Sequence, residues 1–283
     1  MSSFNYIAPV TVEETLSILH KQGSNARIAA GCTNIMPDIA SKKITECLLV
    51  DISGLDELRG INVVDNRIKI GALTTISQLR HSEVIEHSAS VLWQACSQFA
   101  DPLVRNRATI CGNMAKPSPA ADGVVPLLAL EATVTVESLT TGKRELPIEE
   151  FLAGPGKSAL RPDELILSVS FKAANDRLGS FIKFGLRKAM AISLINIAVV
   201  LELNGKTITR TKIALGSVGP TALRARQTEG FLIGREITPE VLSQAAELVK
   251  SEISPIGDIR ASREYRLHLA GVLLRRAVEA AMA

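Results

Sequence analysis

The chain has 283 residues, 46% of them hydrophobic and 22% charged, with a formal net charge of +3. That length suffices for two or three domains with a substantial core, and the composition is that of an ordinary soluble protein. The small net charge, the lack of a long basic block and an aromatic content of 4% exclude a nucleic-acid binder.

In chain order, Thr11 ahead of Glu13 and Glu14 predicts a helix start, a capping hydroxyl before an acidic first turn. Residues 27–30 and 48–52 read as short apolar strands. Residues 63–70 read as a hairpin turning at Asp65-Asn66. Residues 90–100 predict a helix, with Val91, Leu92, Ala95 and Phe99 at helical spacing. Residues 132–137 alternate as a strand, and Thr141-Gly142-Lys143 supply a turn. A domain boundary is expected near residues 173–176. Beyond it, 198–203 and 211–216 predict two strands joined across Asn204-Gly205, a strong hairpin dipeptide. Helices are expected at 222–233, 239–251 and 265–281. On the last, Leu269, Val272, Leu273, Ala277 and Ala280 should face inward and Arg275, Arg276 and Glu279 outward.

Cys32, Cys47, Cys96 and Cys111 show neither C-x-x-C nor the C-x₄-C-x₂-C spacing that holds a two-iron cluster. An iron–sulfur centre would therefore sit on another chain. Cys47 and Cys96 read as buried, reduced thiols. His20, His81, His87 and His268 form no i,i+4 pair, so no metal site is expected, and no triad or catalytic carboxylate pair can be argued. The N-terminus lacks the basic and apolar regions of a signal peptide, and the run 189–203 is too short to span a bilayer. A cytoplasmic location is the expectation.

Two stretches carry the chemistry. The first runs through Arg27, Ile28, Ala29, Ala30, Gly31, Cys32, Thr33, Asn34, Ile35 and Met36. The second is Thr109-Ile110-Cys111-Gly112-Asn113, followed by Ser118-Pro119 and Asp122. Each sets small residues between apolar segments. Where side chains are small, backbone N–H groups come close to a ligand and together form an anion-binding nest. Two such loops suggest one large phosphate-bearing ligand gripped from two sides. Neither is a G-x-G-x-x-G, so a Rossmann dinucleotide fold is not indicated. Asp122 also reads as an N-cap for the segment beginning Gly123-Val124.

Together these loops resemble the flavin-binding (medium) subunits of the molybdenum hydroxylases, the group that includes xanthine, carbon monoxide and nicotinate dehydrogenases. Ala30-Gly31-Cys32-Thr33-Asn34 stands where the family has A-G-G-T-D, and Thr109-Ile110-Cys111-Gly112-Asn113 where it has T-I-G-G-N. The likeness extends through Ile70-Gly71-Ala72-Leu73-Thr74-Thr75, Val104-Arg105-Asn106-Arg107 and Leu215-Gly216-Ser217-Val218-Gly219-Pro220-Thr221. Gly154-Pro155-Gly156-Lys157 and Arg263-Glu264-Tyr265-Arg266-Leu267-His268-Leu269 are most similar to bacterial xanthine dehydrogenase flavin subunits. Cys32 and Cys111 each replace the family's second glycine, so their backbone angles should lie at negative φ or the loops should differ locally.

The resemblance implies an α+β protein. A two-lobed FAD-binding domain of the vanillyl-alcohol-oxidase/MurB (PCMH) type would span residues 1–174, with lobes of about 1–58 and 59–174. Residues 175–283 would form a carbon monoxide dehydrogenase flavoprotein-like domain with a small antiparallel sheet and a helical bundle. It implies non-covalent FAD on this chain, a molybdenum–pterin centre on a large partner and 2Fe–2S clusters on a small one, with NAD or another acceptor taking the electrons. Besides the two loops, Ser118 and Asp122, it implicates Phe99, 14 positions before Asn113, together with Leu165, Ile166 and Lys183, as flavin contacts. A flavoprotein subunit of a carbon monoxide or N-heterocycle dehydrogenase, a stand-alone flavin oxidoreductase and a flavin-storage module are the alternatives.

Overall fold

The computed structural model describes residues 4–175, 177–187 and 190–282. A three-stranded parallel sheet opens the chain, with Leu48–Asp51 between Asn5–Ile7 and Ala26–Ala29. The helix Val12–Gln22 covers it, and Thr11 caps that helix by accepting from the Glu14 N–H. The second lobe is a five-stranded antiparallel sheet in the order Ile61–Val64, Arg67–Gly71, Glu164–Lys172, Thr133–Ser138, Gly142–Pro147. Its first hairpin turns at Asp65 and Asn66, both at positive φ (49° and 59°), the conformation that a two-residue turn between twisted strands requires. Thr133–Ser138 buries alternate residues, as a strand with one covered face should.

A four-stranded antiparallel sheet follows, Leu178–Phe184, Ile195–Asn204, Thr207–Gly216 and Leu223–Arg224. Ile195–Asn204 is almost continuously buried because both faces are covered. Val199 and Leu201 meet the helices Arg226–Leu232, Pro239–Ser251 and Arg263–Met282, while Ala198 and Val200 join the core of the second lobe. The architecture is thus α+β, with two lobes and a C-terminal sheet backed by helices. Among the described residues no helix is long and apolar enough to cross a membrane.

The structure departs from the sequence reading at several places, among them Cys47, read as buried, which is only half-buried. Residues 222–225 are not helical: Leu223–Arg224 pairs with Ala214 and Leu215, drawn there by the buried Arg224–Glu229 ion pair. The long hairpin turns over Gly205-Lys206, one residue later than expected, with Asn204 paired to Thr207 and a bulge between Glu202 and Leu203. The helix at residue 90 ends at Ser97, before Phe99. On the last helix, Val272 is only half-buried and Ala280 is exposed, whereas Arg266, Gly271, Leu274, Val278 and Ala281 are buried. Of the expected boundary at 173–176, Asp176 lies outside the described residues.

Candidate functional site

The two small-residue loops meet across a cleft of about 630 Å³, within the size range of cofactor sites. Arg27, Ile28, Ala30, Gly31, Cys32, Thr33, Asn34 and Ile35 line one side. Thr109, Gly112 and Asn113 line the other, and Phe99, Val104, Leu160 and Leu19 add apolar wall. The loops touch at the back: a Cβ on Gly31 would lie 2.0 Å from the Arg107 carbonyl oxygen, so only glycine fits there.

The first loop leaves the strand Ala26–Ala29 and enters the short helix Ile35–Ala40. The N–H groups of Gly31, Cys32, Thr33, Asn34 and Ile35 find no acceptor among the described residues, and Asn34 gives the helix no side-chain cap. Cys32 sits at φ 63°, in the left-handed region that favours glycine. Burial and the Asp51 carboxylate push its thiol up, so it is protonated near neutral pH. Asp51 itself accepts from the Tyr6 hydroxyl at 2.8 Å and the Ser53 N–H at 2.9 Å.

The second loop spends three of its N–H groups, those of Ile110, Gly112 and Asn113, within the fold. Thr109 caps the helix Ile110–Ala115, accepting from the Gly112 N–H at 3.0 Å through Oγ1 and from the Asn113 N–H at 3.0 Å through its carbonyl. The Ile110 N–H donates to the Thr74 carbonyl. Cys111 is helical and fully buried, and burial raises its thiol to about 12. One polar atom at this loop is unpaired: the Asn113 Oδ1 is buried with no hydrogen-bond partner among the described residues.

Charges frame the mouth. Lys116, just past the second loop, pairs with Asp38, just past the first. Glu164 accepts from Arg144 Nε at 2.6 Å and Nη2 at 2.9 Å, and from the Arg161 N–H at 2.7 Å. Burial pushes the Glu164 carboxyl up, but the Arg144 hydrogen bonds outweigh this and hold it below the usual carboxylate range. The turn between Leu152–Gly154 and Lys157–Ser158 docks on the second loop, the Gly156 N–H donating to the Pro117 carbonyl at 2.7 Å.

Not every expected residue faces this cleft. Ala29, Ile110, Cys111, Leu165 and Ile166 are buried behind its walls, and Met36 and Ser118 are exposed outside it. Asp122 and Lys183 form a buried pair at 2.6 Å. Asp122 also accepts from Ser193 Oγ and Asn196 Nδ2. The expected N-cap role of Asp122 is corrected: Gly123 occupies the cap position of the helix Val124–Ala129, without a side-chain cap bond. Sequence reasoning missed Asp38, Lys116, Leu160, Arg161 and Glu164 as cleft residues. The opposite charges following the two loops were the one available signal.

Comparison with known proteins gives the class. Residues 2–171 match the family of FAD-binding domains in molybdopterin dehydrogenases, and residues 180–281 match the C-terminal domain of carbon monoxide dehydrogenase flavoproteins. The chain is 31% identical to the carbon monoxide dehydrogenase medium chain of Hydrogenophaga pseudoflava, covering 99% of this chain and 97% of that one. It is 30% identical to a xanthine dehydrogenase FAD-binding subunit of Escherichia coli O157:H7, covering 99% and 96%. Among solved structures, a Hydrogenophaga pseudoflava carbon monoxide dehydrogenase chain superposes with a TM-score of 0.95 at 31% identity, covering 99% and 97%. Quinoline 2-oxidoreductase of Pseudomonas putida 86 superposes with a TM-score of 0.93 at 27% identity, covering 99% and 97%. The chain therefore belongs to the FAD-binding subunits of the molybdenum hydroxylase family. It is an oxidoreductase flavoprotein chain whose cofactor is FAD.

The residues present fit that cofactor. A row of unpaired N–H groups suits a diphosphate, an orphaned Asn113 oxygen suits a ring or ribose donor, and the Phe99 wall suits an apolar ring.

Proposed function

We propose that the cleft between the two loops holds FAD non-covalently and that the chain relays electrons inside a three-subunit hydroxylase. The observation that carries this reading is the row of N–H groups from Gly31 to Ile35, on residues that line the cleft and without acceptors among the described residues. Those N–H groups hold the diphosphate. The Thr109 hydroxyl, whose oxygen already accepts from Gly112, keeps its proton to donate to a cofactor oxygen, and Asn113 offers its amide. Arg27, Ile28, Ala30, Cys32 and Phe99 line the cofactor directly. Ala29, Met36, Ile110, Cys111, Ser118, Asp122, Leu165, Ile166 and Lys183 shape the site from its flanks and rear. When bound, FAD supplies the redox chemistry, taking up electrons and releasing them to an acceptor. The chain's own task is to orient it and keep water off its apolar face.

The partners are a large molybdenum–pterin subunit and a small 2Fe–2S subunit, and NAD⁺ or another acceptor takes the electrons. Relatives named as medium chains and FAD-binding subunits support this assembly, as does the absence of cluster-spaced cysteines in the sequence. The 154–157 and 263–269 segments favour a xanthine dehydrogenase-like complex. The Hydrogenophaga relative supports carbon monoxide as substrate equally.

The experiment is purification of the native complex, followed by metal analysis and a screen of purines, carbon monoxide and N-heterocycles against NAD⁺ and dyes. Substrate-dependent reduction only by the complex is expected. Turnover by this chain alone would overturn the reading in favour of a stand-alone flavin enzyme.

A further inference from the structure

The helix Val124–Ala129, which follows the second loop, is apolar and buried along its whole length. It ends in a left-handed turn: the Glu131 N–H donates to the Leu128 carbonyl and the Ala132 N–H to the Leu127 carbonyl. The residue at the left-handed position of such a turn is usually glycine. Here it is Glu131, at φ 53°. A side chain is kept where its backbone conformation is unfavourable.

Both carboxylate oxygens of that side chain, itself 39% exposed, are engaged, and by the C-terminal domain alone. Glu131 Oε2 accepts from Arg210 Nη2 at 2.6 Å; Oε1 takes Lys212 Nζ at 2.8 Å and Arg224 Nη1 at 2.9 Å. Arg224 is itself buried, and its other nitrogens bind Glu229. At the opposite end of the helix, Gly123 packs against the cleft. A Cβ there would lie 2.8 Å from Asn113 Oδ1 and 2.7 Å from Ile110 Cδ1. The helix also meets the C-terminal sheet along its side, where a Cβ on Gly216 would fall 2.8 Å from Val125 Cγ2. A close-packed rod thus runs from a charged anchor on one domain to a cleft residue on the other.

We infer that Glu131 is a positioning residue for the flavin site, acting through the helix Val124–Ala129 on Asn113. The inference rests on FAD occupying the cleft. It assigns the C-terminal domain a part in setting the second loop, although neither Glu131 nor its three cationic partners line the cleft.

The test is FAD titration of the deflavinated protein, purified with its partner chains and followed by flavin fluorescence. Glu131→Gly removes the carboxylate while easing the backbone, and Glu131→Gln keeps the shape and removes the charge. Both should weaken FAD binding about tenfold, the scale of one lost charge-assisted contact. The thermal midpoint of the flavin-free Glu131→Gly protein should not fall. Glu149→Gln breaks another contact between the domains, the exposed pair with Arg226, and should leave FAD affinity within about twofold of wild type. In an Asn113→Ala background the effect of Glu131→Gly should vanish, because interacting residues are not additive. If wild type takes up no FAD, the proposed function fails. If wild type binds and both Glu131 variants bind equally well, or if the loss persists undiminished with Asn113→Ala, the positioning role fails and the proposed function stands.

Discussion

The two loops read alike as strings of small residues, yet they are built in opposite ways. The second spends the N–H groups of Gly112 and Asn113 on the Thr109 cap and that of Ile110 on the Thr74 carbonyl. The first leaves five in a row without an acceptor among the described residues. A prefolded loop shapes a cleft, whereas an unsatisfied one needs a ligand to complete its hydrogen bonds. Their two cysteines differ for the same reason. Cys111 lies in a helix, where any residue fits; Cys32 occupies a left-handed turn.

The comparison can be broken most forcefully at the glycines. Gly31→Val would drive a side chain into the Arg107 backbone, which cannot rotate away. We expect a loss of about 3 kcal/mol and no bound flavin, measured by thermal denaturation and flavin content. A stable, yellow Gly31→Val protein would show that the loops do not meet as described.

Ligand removal comes next. FAD at about 100 times its Kd should stabilise the protein by about 2.7 kcal/mol. By hydrogen exchange, the Gly31–Ile35 amides should gain protection on binding. The Gly112 and Asn113 amides should be protected already without FAD. Equal gains in both loops would erase the distinction. Gly112→Val is the milder glycine test, because its Cβ would sit 2.7 Å from the rotatable Thr109 Oγ1. It should cost about 1–2 kcal/mol, the worth of the lost cap, with flavin content reduced more than folding.

The cysteines give the smallest and sharpest contrast. Cys111→Gly should destabilise by about 1 kcal/mol or somewhat more, since glycine is unfavourable in a helix. Cys32→Gly should be neutral or stabilising by up to about 1 kcal/mol, since φ 63° suits glycine. Paired melting curves decide it, and the same sign for both would refute the backbone argument.

Much of this molecule was legible from local chemistry. The Thr11 cap, the Asp65-Asn66 turn and the alternation of residues 133–138 are each dictated by neighbours in sequence. Errors arose where a distant partner prevailed. Arg224 leaves the expected helix for the sheet edge, where it reaches Glu131 far back in the sequence as well as Glu229, and the long hairpin turns one residue beyond the expected Asn204-Gly205. The last helix buries Arg266 because its guanidinium reaches the Leu194 carbonyl and Asp258, which no helical period reveals. In the site, the first loop around residues 30–34 and the second at 109–113 were readable by their small side chains. Arg161 and Glu164 were not, because only the folded chain brings the hairpin 152–158 and its sequel onto the second loop.

The order of strands in the five-stranded sheet has a consequence for synthesis on the ribosome. Its central strand, Glu164–Lys172, is the last of the five to be made, and it separates Arg67–Gly71 from Thr133–Ser138. More than ninety residues lie between Gly71 and Glu164. At about 5–20 residues per second, the hairpin 61–71 therefore waits roughly 5–20 s with one edge unpaired. Arg67 and Lys69, exposed on the waiting strand, give that edge some charge to repel a neighbour, but Val63 and Val64 on its other strand are exposed and apolar. The nascent chain is thus most prone to mispairing in the interval before residue 172 emerges, and a holding chaperone would be of most use there.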